Sequence, residues 1–254
     1  MLGSYARFLS DFIIMNPINI KKDNKNITIS YDQKIQPYHP LIAKLANENA
    51  TNNQRRVLDI GCGTGNTLIE LAKINNQFKF YITDVDAECL RITKERVPVE
   101  ESYLTGKPDA VVTDGKTYDI ILMSHILQYD PMAADTVQKL LSQLNSDGFI
   151  IIAISNVVTP TKILNNLRKR QYSEGIYTWD RSTFHNFIKA SGGEVIEWAY
   201  DYVPLPMLNK ISIFKKIAIQ LAKIIPWLSF SVIAVIKVPE LKSDQNTKKN
   251  AVND

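Results

Sequence analysis

The residues whose types and spacing most clearly indicate a binding site form a glycine-rich turn after a short apolar segment. Gly61, Gly63 and Gly65 alternate with other residues directly after the segment VLDI at 57–60. Glycine lets a backbone bend sharply and approach a ligand with no Cβ in the way. A helix that begins after such a turn supplies free backbone N–H groups. The turn therefore predicts a cofactor site.

A carboxylate lies at the matching place of the next apolar segment. Asp84 ends the segment FYIT-D and lies 19 residues after Gly65. A carboxylate at this spacing can accept hydrogen bonds from both hydroxyls of a ribose, as in dinucleotide-binding folds. Each feature alone has a structural explanation, as a turn and as a helix cap. Together they favour a cofactor that contains ribose.

The position of the third glycine distinguishes between two cofactors that contain ribose, NAD and S-adenosylmethionine. The dinucleotide fingerprint needs glycine at 61, 63 and 66. Position 66 is Asn66, and the third glycine is Gly65 instead. This difference counts against NAD and favours S-adenosylmethionine.

Three histidines are candidates for acid–base chemistry. His125 follows the apolar segment 118–124, beside the crevice where ligands bind in open α/β sheets. It is the leading candidate for a general base, although a histidine there could instead bind the cofactor or cap a turn. His39 could lie over the site or simply belong to the start of a helix, and His185 is expected to be structural. Three aromatic residues could line an acceptor pocket or serve only in packing: Tyr129, Tyr177 and Trp179.

Apolar segments and helical patterns alternate along the chain, which predicts a mostly parallel sheet with helices on both faces. The predicted strands are 57–60, 80–83, 118–124, 149–154, EVIEWAY and SFSVIAVIKV. Helical patterns begin at His39, follow the glycine turn, and cover 87–97, 137–144 and Asp180 to Ser191. A polar and aromatic loop is expected from residue 155 to about Trp179.

This pattern divides the chain into three parts. Residues 1–36 are predicted to be an N-terminal arm, and 37–238 a single α/β domain with a cap or acceptor region at 155–228. The polar residues 239–254 have little to bury and are predicted to be disordered.

Composition narrows the class of protein. The net charge of +4 over 254 residues is small, and no basic stripe with interleaved aromatic residues is found, so nucleic-acid binding is not expected. Cys62 and Cys89 form neither a disulfide framework nor a zinc cluster, which fits a reducing cytosol. No apolar run approaches the roughly 20 residues of a membrane span, and no signal peptide is expected.

The motifs VLDIGCGTGN, ITDVDAECL, YDIILMSHILQY and LNSDGFIIIAI resemble, in order, those of class I S-adenosylmethionine-dependent methyltransferases. The resemblance spans about residues 40–155. It implies an α/β Rossmann-like three-layer sandwich with a seven-stranded, mostly parallel sheet. The last strand would be antiparallel, and SFSVIAVIKV would be that strand.

The resemblance also implies residue roles. Asp59 would support the turn, the three glycines would line the methionine and ribose, and Asp84 would bind the ribose. The remaining cofactor contacts would be Val85 to adenine, and Met123 and Ser124 to the methionine end. One motif departs from the family, because Gly106 is followed by Lys107 and Pro108. Asp109 is either the displaced acidic residue near the adenine amine or an ordinary loop aspartate.

The predicted function is methyl transfer from S-adenosylmethionine to a small-molecule, glycan or lipid-linked acceptor, with O-methylation expected. The glycan or lipid-linked classes rest on a weaker resemblance of the region after 155 to the C-terminal cap of such enzymes. The alternatives are a non-catalytic cofactor-binding partner subunit and a nicotinamide oxidoreductase, the latter disfavoured by Asn66. The segment 209–228 is predicted to be a basic amphipathic helix that could lie on the inner membrane surface or pack on the sheet edge. The oligomeric state is left open.

Overall fold

The computed structural model of the chain describes residues 22–23, 26–27, 35–51, 53–105, 115–167, 175–204 and 212–239. Most of the predicted N-terminal arm, the predicted tail and Asp109 lie outside these residues. Within the arm, β1 (Lys22–Asp23) and β2 (Asn26–Ile27) form a short antiparallel pair. No helix among the described residues is long and apolar enough to cross a membrane.

The remaining elements alternate as the sequence predicts. The first half contains α1 (Tyr38–Asn49), β3 (Arg56–Ile60), α2 (Asn66–Ile74), β4 (Lys79–Asp84), α3 (Ala87–Arg96), β5 (Val99–Leu104) and β6 (Tyr118–Ser124). The second half contains α4 (Ala133–Ser142), β7 (Leu144–Ser155), α5 (Pro160–Leu167), α6 (Arg181–Ala190), β8 (Glu194–Tyr200), α7 (Ser212–Ile224) and β9 (Ser231–Lys237). Two short 3₁₀ helices cover Leu127–Tyr129 and Pro226–Leu228.

Seven strands form one sheet in the order β5-β4-β3-β6-β7-β9-β8. The pairs from β5 to β7 are all parallel, whereas β9 runs antiparallel to both β7 and β8. The predicted seven-stranded α/β sheet with an antiparallel last strand is therefore confirmed. The strand order reverses direction between β3 and β6, and the crevice at such a reversal is where open α/β sheets bind ligands.

The central strands are apolar on both faces because helices cover both sides of the sheet. Along β7, the side chains on one face are Ile150, Ile152 and Ile154, and those on the other are Phe149, Ile151 and Ala153. The first face packs on α4 and α6, and the second packs on α1, α2 and α3. Each fully buried side chain of this size contributes about 1.5–3 kcal/mol, so the two cores hold the strand ends in fixed positions.

Within the α/β domain, one strand and one α-helix were missed from the sequence. The edge strand β5 has no alternating pattern, since most of its residues are partly exposed and it pairs only with β4. The helix α5 lies inside the predicted loop from 155 to 179. Its start carries a local signal, because Thr159 precedes Pro160 and its hydroxyl accepts a hydrogen bond from the Lys162 N–H at 3.2 Å.

Several predicted boundaries differ from those observed. The segment 209–228, predicted as one helix, contains α7 (Ser212–Ile224) and then a separate 3₁₀ helix (Pro226–Leu228). The helix α4 begins at Ala133 and ends at Ser142, earlier than the predicted 137–144. The strand β7 begins at Leu144 and includes the predicted turn at 146–148, where Asp147 adopts a φ of 65°. The pairing of β7 with β6 is irregular there, because its register moves from Tyr118–Leu144 directly to Ile120–Phe149, and the residues whose types favour a turn lie in that irregularity.

Candidate functional site

The glycine-rich turn connects β3 to α2 at the carboxyl end of the sheet. Gly61, Gly63 and Gly65 adopt φ values of 66°, 54° and 77°, all in the left-handed region. A side chain at Gly61 would meet Ile126 at 2.5 Å, whereas none of the described atoms lies within 4 Å of the Cβ position at Gly63. The backbone at Gly63 therefore faces open space, as a cofactor site requires.

Asp84 lies directly against this turn. Its Oδ2 accepts a hydrogen bond from the Gly63 N–H at 2.8 Å, and its Oδ1 accepts one from the Asp86 N–H at 3.0 Å. Each carboxylate oxygen can accept a second hydrogen bond. Adjacent parallel strands bring the two motifs together, since Ile60 at the end of β3 pairs with Thr83 of β4.

The opposite side of the turn is fastened to α3. The Thr93 hydroxyl donates to the Gly63 carbonyl at 2.9 Å, and the Arg96 guanidinium donates to the Thr64 carbonyl at 2.5 Å. These bonds occupy the carbonyl groups of the turn, so it is held in one conformation by side chains that sequence reasoning did not single out.

Asp59 lies beneath the turn, on β3, and is 3% exposed. Burial, and then the negative charge of Asp84, raise the pKa of its carboxyl group to about 8. No hydrogen bond to this carboxyl is found among the described residues. A buried carboxyl without a donor is suited to a cationic or hydrogen-bonding ligand, because such a ligand would offset the loss of hydration.

The end of β6 completes the crevice. Met123 is fully buried, and the hydroxyl of Ser124 is buried without a hydrogen-bond partner among the described residues. Val85, at the end of β4, has 58% of its surface exposed. An orphaned hydroxyl, an open glycine backbone and an exposed apolar side chain at one edge fit an adenosyl ligand with a polar amino-acid end.

His125 follows β6 and is held by both ring nitrogens. Nδ1 lies 3.2 Å from the Ser155 hydroxyl and Nε2 lies 3.1 Å from the Ser231 hydroxyl. Ser155 and Ser231 are cross-strand partners in the pairing of β7 with β9. Burial lowers the pKa of His125 to about 3, with smaller contributions from the charges of His39 and Lys162.

Asp201, immediately after β8, extends this network. Its carboxylate accepts hydrogen bonds from the Ser231 hydroxyl and the Ser231 N–H, each at 2.8 Å, and from the Tyr202 N–H at 2.7 Å. Burial raises the pKa of Asp201 to about 7. When Asp201 is ionised, the Ser231 hydroxyl donates to it, and Ser231 is then free to accept from Nε2–H of His125. Nδ1 of His125 then carries the lone pair.

Sequence reasoning missed Ser155, Ser231 and Asp201. Asp201 did carry a signal, because it is an acidic residue directly after a predicted strand, as Asp84 is. The serines carried none, since only the register of β7 and β9 brings them to opposite sides of one imidazole.

Comparison with known proteins identifies the family. A family model described as a methyltransferase domain matches residues 31–197, about two thirds of the chain. The chain belongs to this methyltransferase family. The match includes the glycine turn, Asp84, Ser124 and His125.

Individual relatives are distant. The "Malonyl-[acyl-carrier protein] O-methyltransferase" of Halalkalibacterium halodurans is 27% identical over 110 residues, covering 41% of this chain and 41% of that protein. The carboxy-S-adenosyl-L-methionine synthase of Campylobacter hominis is 24% identical over 155 residues, covering 57% and 66%. The chain thus spans less than two thirds of the length of these curated relatives.

A solved structure has the same fold. The magnesium protoporphyrin IX methyltransferase from Synechocystis PCC 6803, with bound SAH, superposes with a TM-score of 0.57 at 12% identity. The superposition covers 79% of this chain and 82% of that one. At this identity, the likeness establishes the fold of the methyltransferase domain.

The other two histidines occupy different surroundings in the methyltransferase domain. Nδ1 of His39 accepts a hydrogen bond from the Gln36 N–H at 2.8 Å, and burial lowers its pKa to about 4. This hydrogen bond supports the interpretation that His39 belongs to the start of helix α1. The neighbouring Tyr38 contacts the His125 ring, with ring centroids 4.7 Å apart, so α1 does reach the site. His185 is exposed on α6 and lies against Trp198.

The aromatic candidates belong to the packing around the 3₁₀ helix after His125. Tyr177 stacks on Trp179, and its hydroxyl donates to the Pro131 carbonyl. Trp179 is buried in the core on the α6 side, and Tyr129 lies in the 3₁₀ helix itself. Gln128 connects the segments of this region. Its backbone carbonyl accepts hydrogen bonds from the Ile176 and Tyr177 N–H groups, and its side-chain oxygen accepts one from the Ser155 N–H.

A cavity of about 220 Å³ lies beyond this network, at the carboxyl end of β7 and β8. Its lining includes Asn156, Arg181, Tyr200 and Trp227. The Asn156 amide donates to the carbonyl groups of Trp227 and Ser229, which ties the second 3₁₀ helix to the end of β7.

Proposed function

We propose that this chain is an S-adenosylmethionine-dependent methyltransferase acting on a small-molecule acceptor. The observation that carries the proposal is the contact between Asp84 and the Gly63 N–H, beside a glycine backbone that faces open space. The relatives that bear methyltransferase names and the neighbour with bound SAH support it.

We assign the predicted cofactor contacts to this crevice. Asp84 would hold the ribose hydroxyls with its remaining lone pairs, and Val85 would pack against adenine. Gly61, Gly63 and Gly65 would lie along the ribose and methionine. Met123 and Ser124 would contact the methionine end, where the orphaned Ser124 hydroxyl is a polar group, and Asp59 would support the glycine turn from beneath. The bound cofactor would supply a sulfonium methyl group that is already activated for transfer.

The protein's own task is then mainly to orient the acceptor and exclude water. O-methylation of a hydroxyl would also require a proton acceptor. His125 is the predicted base, yet both of its ring nitrogens bind serine hydroxyls and burial lowers its pKa to about 3. We therefore infer that His125 primarily positions Ser155 and Ser231, while its role as a general base stays a prediction.

Small-molecule, glycan and lipid-linked acceptors remain the proposed classes, in a cytoplasmic setting. The relative named as an O-methyltransferase supports transfer to oxygen. The experiment is incubation of the chain with methyl-labelled S-adenosylmethionine and extracts fractionated into small molecules, glycans and lipids. Label in one fraction, lost in Asp84→Ala, is the expected result.

A non-catalytic cofactor-binding subunit is the alternative. It would bind S-adenosylmethionine in a direct titration but label no fraction unless a partner protein is added. Absence of both cofactor binding and labelling would contradict the proposed function and this alternative together.

A further inference from the structure

The segment from 202 to 239 has an unusual charge pattern. It contains five lysines and neither aspartate nor glutamate. It includes α7, the second 3₁₀ helix and β9. The methyltransferase site uses Ser231 from this segment, but nothing in that site requires the lysines or the absence of acidic residues.

One face of α7 is fixed to the domain. Ala218 and Ala222 are buried, and the Ala218 carbonyl accepts a hydrogen bond from the Val203 N–H at 3.0 Å. These contacts decide which side of the helix points outward.

The outward side carries two parallel rows of residues. Ile217, Leu221 and Ile224 lie at helical spacings of four and three, and Ile217 and Ile224 are 42% and 72% exposed. The adjacent row contains the exposed residues Lys216, Gln220 and Lys223. Trp227 follows in the 3₁₀ helix and is 60% exposed.

We propose that this outer surface, formed by Lys216, Ile217, Lys223, Ile224 and Trp227, binds the surface of an anionic lipid bilayer. A basic amphipathic helix with a tryptophan at its end can lie in the interface with its apolar row among the lipid tails. Lysines in the neighbouring row extend toward phosphate groups while their stems cover apolar surface. The helix has 13 residues and would lie on the bilayer.

The charge pattern favours a bilayer over a second copy of the chain. A symmetric dimer would place the same patch on both subunits, which would bring the lysines of one copy against those of the other. An anionic bilayer instead attracts each lysine with about 1 kcal/mol.

The position of this surface connects it to the proposed acceptor region. Trp227 lines the cavity that also contains Asn156 and Tyr200. Phe230, three residues later, contacts the His125 ring, with centroids 5.7 Å apart. A lipid bilayer bound at α7 would therefore lie beside the entrance to the carboxyl end of the sheet.

The test is flotation of the full chain with lipid vesicles, in the absence of cofactor and acceptor. We expect binding to vesicles in which about a third of the phosphatidylcholine is replaced by phosphatidylglycerol, and no binding to phosphatidylcholine alone. Salt at about 1 M should release the chain, because the Debye length falls to about 3 Å. Trp227 should shift its fluorescence to the blue on binding, and Trp227→Phe should remove that shift.

The variant Lys216→Glu/Lys223→Glu should lower the partition coefficient by at least about 25-fold, since each of the two lysines near such a surface is worth about a factor of five. The matched control is Lys94→Glu/Lys189→Glu, which makes the same charge change at exposed sites on α3 and α6. It should bind within about twofold of the parent chain.

Equal binding of the two double variants, or no binding to the anionic vesicles, would overturn the proposal. Self-association that the α7 variant abolishes, without vesicle binding, would overturn it in favour of a second copy. Because these measurements use neither cofactor nor acceptor, their failure leaves the proposed methyl transfer to be judged by its own experiment.

Discussion

Two carboxyl groups, those of Asp59 and Asp84, are buried at the same end of the sheet. Asp59 has no hydrogen-bond donor among the described residues, whereas Asp84 accepts hydrogen bonds from two backbone N–H groups. Burial raises the pKa of both, and the charge of Asp84 raises that of Asp59 further. The ligand-free domain therefore carries an electrostatic penalty where we place the cationic end of the cofactor.

This penalty predicts a pH-dependent effect of Asp59→Asn on stability. In the unfolded chain Asp59 loses its proton near pH 4, but in the folded chain it keeps the proton up to about pH 8. Between these values the folded state binds more protons, so the contribution of Asp59 to stability falls as the pH rises. Without cofactor, Asp59→Asn should gain several degrees in melting temperature relative to the parent chain between pH 5 and pH 8.

The quantity to measure is the melting temperature of Asp59→Asn minus that of the parent chain, from thermal unfolding at each pH. Asp201, whose pKa is also raised, is present in both proteins and cancels, whereas the difference includes the interaction of Asp59 with Asp84, because the charge of Asp84 raises the pKa of Asp59. A pH-independent difference would show that Asp59 is ionised in the folded chain near neutral pH.

At the level of single residues, the sequence predicted the contact between Asp84 and the glycine turn but not the network of Asp201, Ser231 and His125. The first depends on the ends of two adjacent parallel strands, which a β-turn-α pattern places together. The second depends on the register of two antiparallel strands about 76 residues apart in sequence, and spacing alone does not predict that register.

The turn between β3 and α2 is the element on which the site depends. Its three glycines have positive φ, but only some are also constrained by neighbours. At Gly61 a side chain would collide with Ile126, whereas at Gly63 it would enter open space. Substitutions at Gly61 and Gly63 therefore distinguish the cost of a left-handed backbone, which both positions have, from the cost of a steric collision, which only Gly61 adds.

We expect Gly63→Ala to lower the free energy of unfolding by about 1 kcal/mol, the strain of a left-handed alanine. Gly61→Ala should lower it by a further 1–3 kcal/mol, roughly, because overpacking adds to that strain. Denaturant titration measures both values. Ile126→Ala should restore part of the loss when combined with Gly61→Ala, and equal losses in the two single variants would be inconsistent with this packing.

Among the elements, the predicted central strands and most helices were confirmed because their apolar patterns are continuous. The strand β8 has the predicted bounds, and α6 (Arg181–Ala190) lies within the predicted range from Asp180 to Ser191. The reciprocal hydrogen bonds of Asp180 and Thr183 at the start of α6 were not predicted. β5 and α5 were missed since one is a partly exposed edge strand and the other has only eight residues. Short and half-exposed elements owe their structure to the domain around them rather than to local pattern.

On the scale of the whole molecule, the proposed functional features of the described residues lie in a row along the carboxyl end of the sheet. The cofactor crevice lies at β3, β4 and β6, the histidine network at β6, β7 and β9, and the cavity at β7 and β8. The proposed bilayer surface follows on α7. This order would place methyl donor, acceptor and lipid surface side by side, as a lipid-linked acceptor would need.

The most direct test of the central claim is calorimetric titration of S-adenosylmethionine into the parent chain and into Asp84→Ala. The parent should bind, and Asp84→Ala should bind about 1–3 kcal/mol more weakly, the scale for losing hydrogen bonds to a charged group. Asp86→Asn, which removes the same charge two residues away and keeps an oxygen for the cap of α3, should retain the parent affinity. Equal affinity of Asp84→Ala and the parent chain would contradict the placement of the methyl donor between the glycine turn and β4.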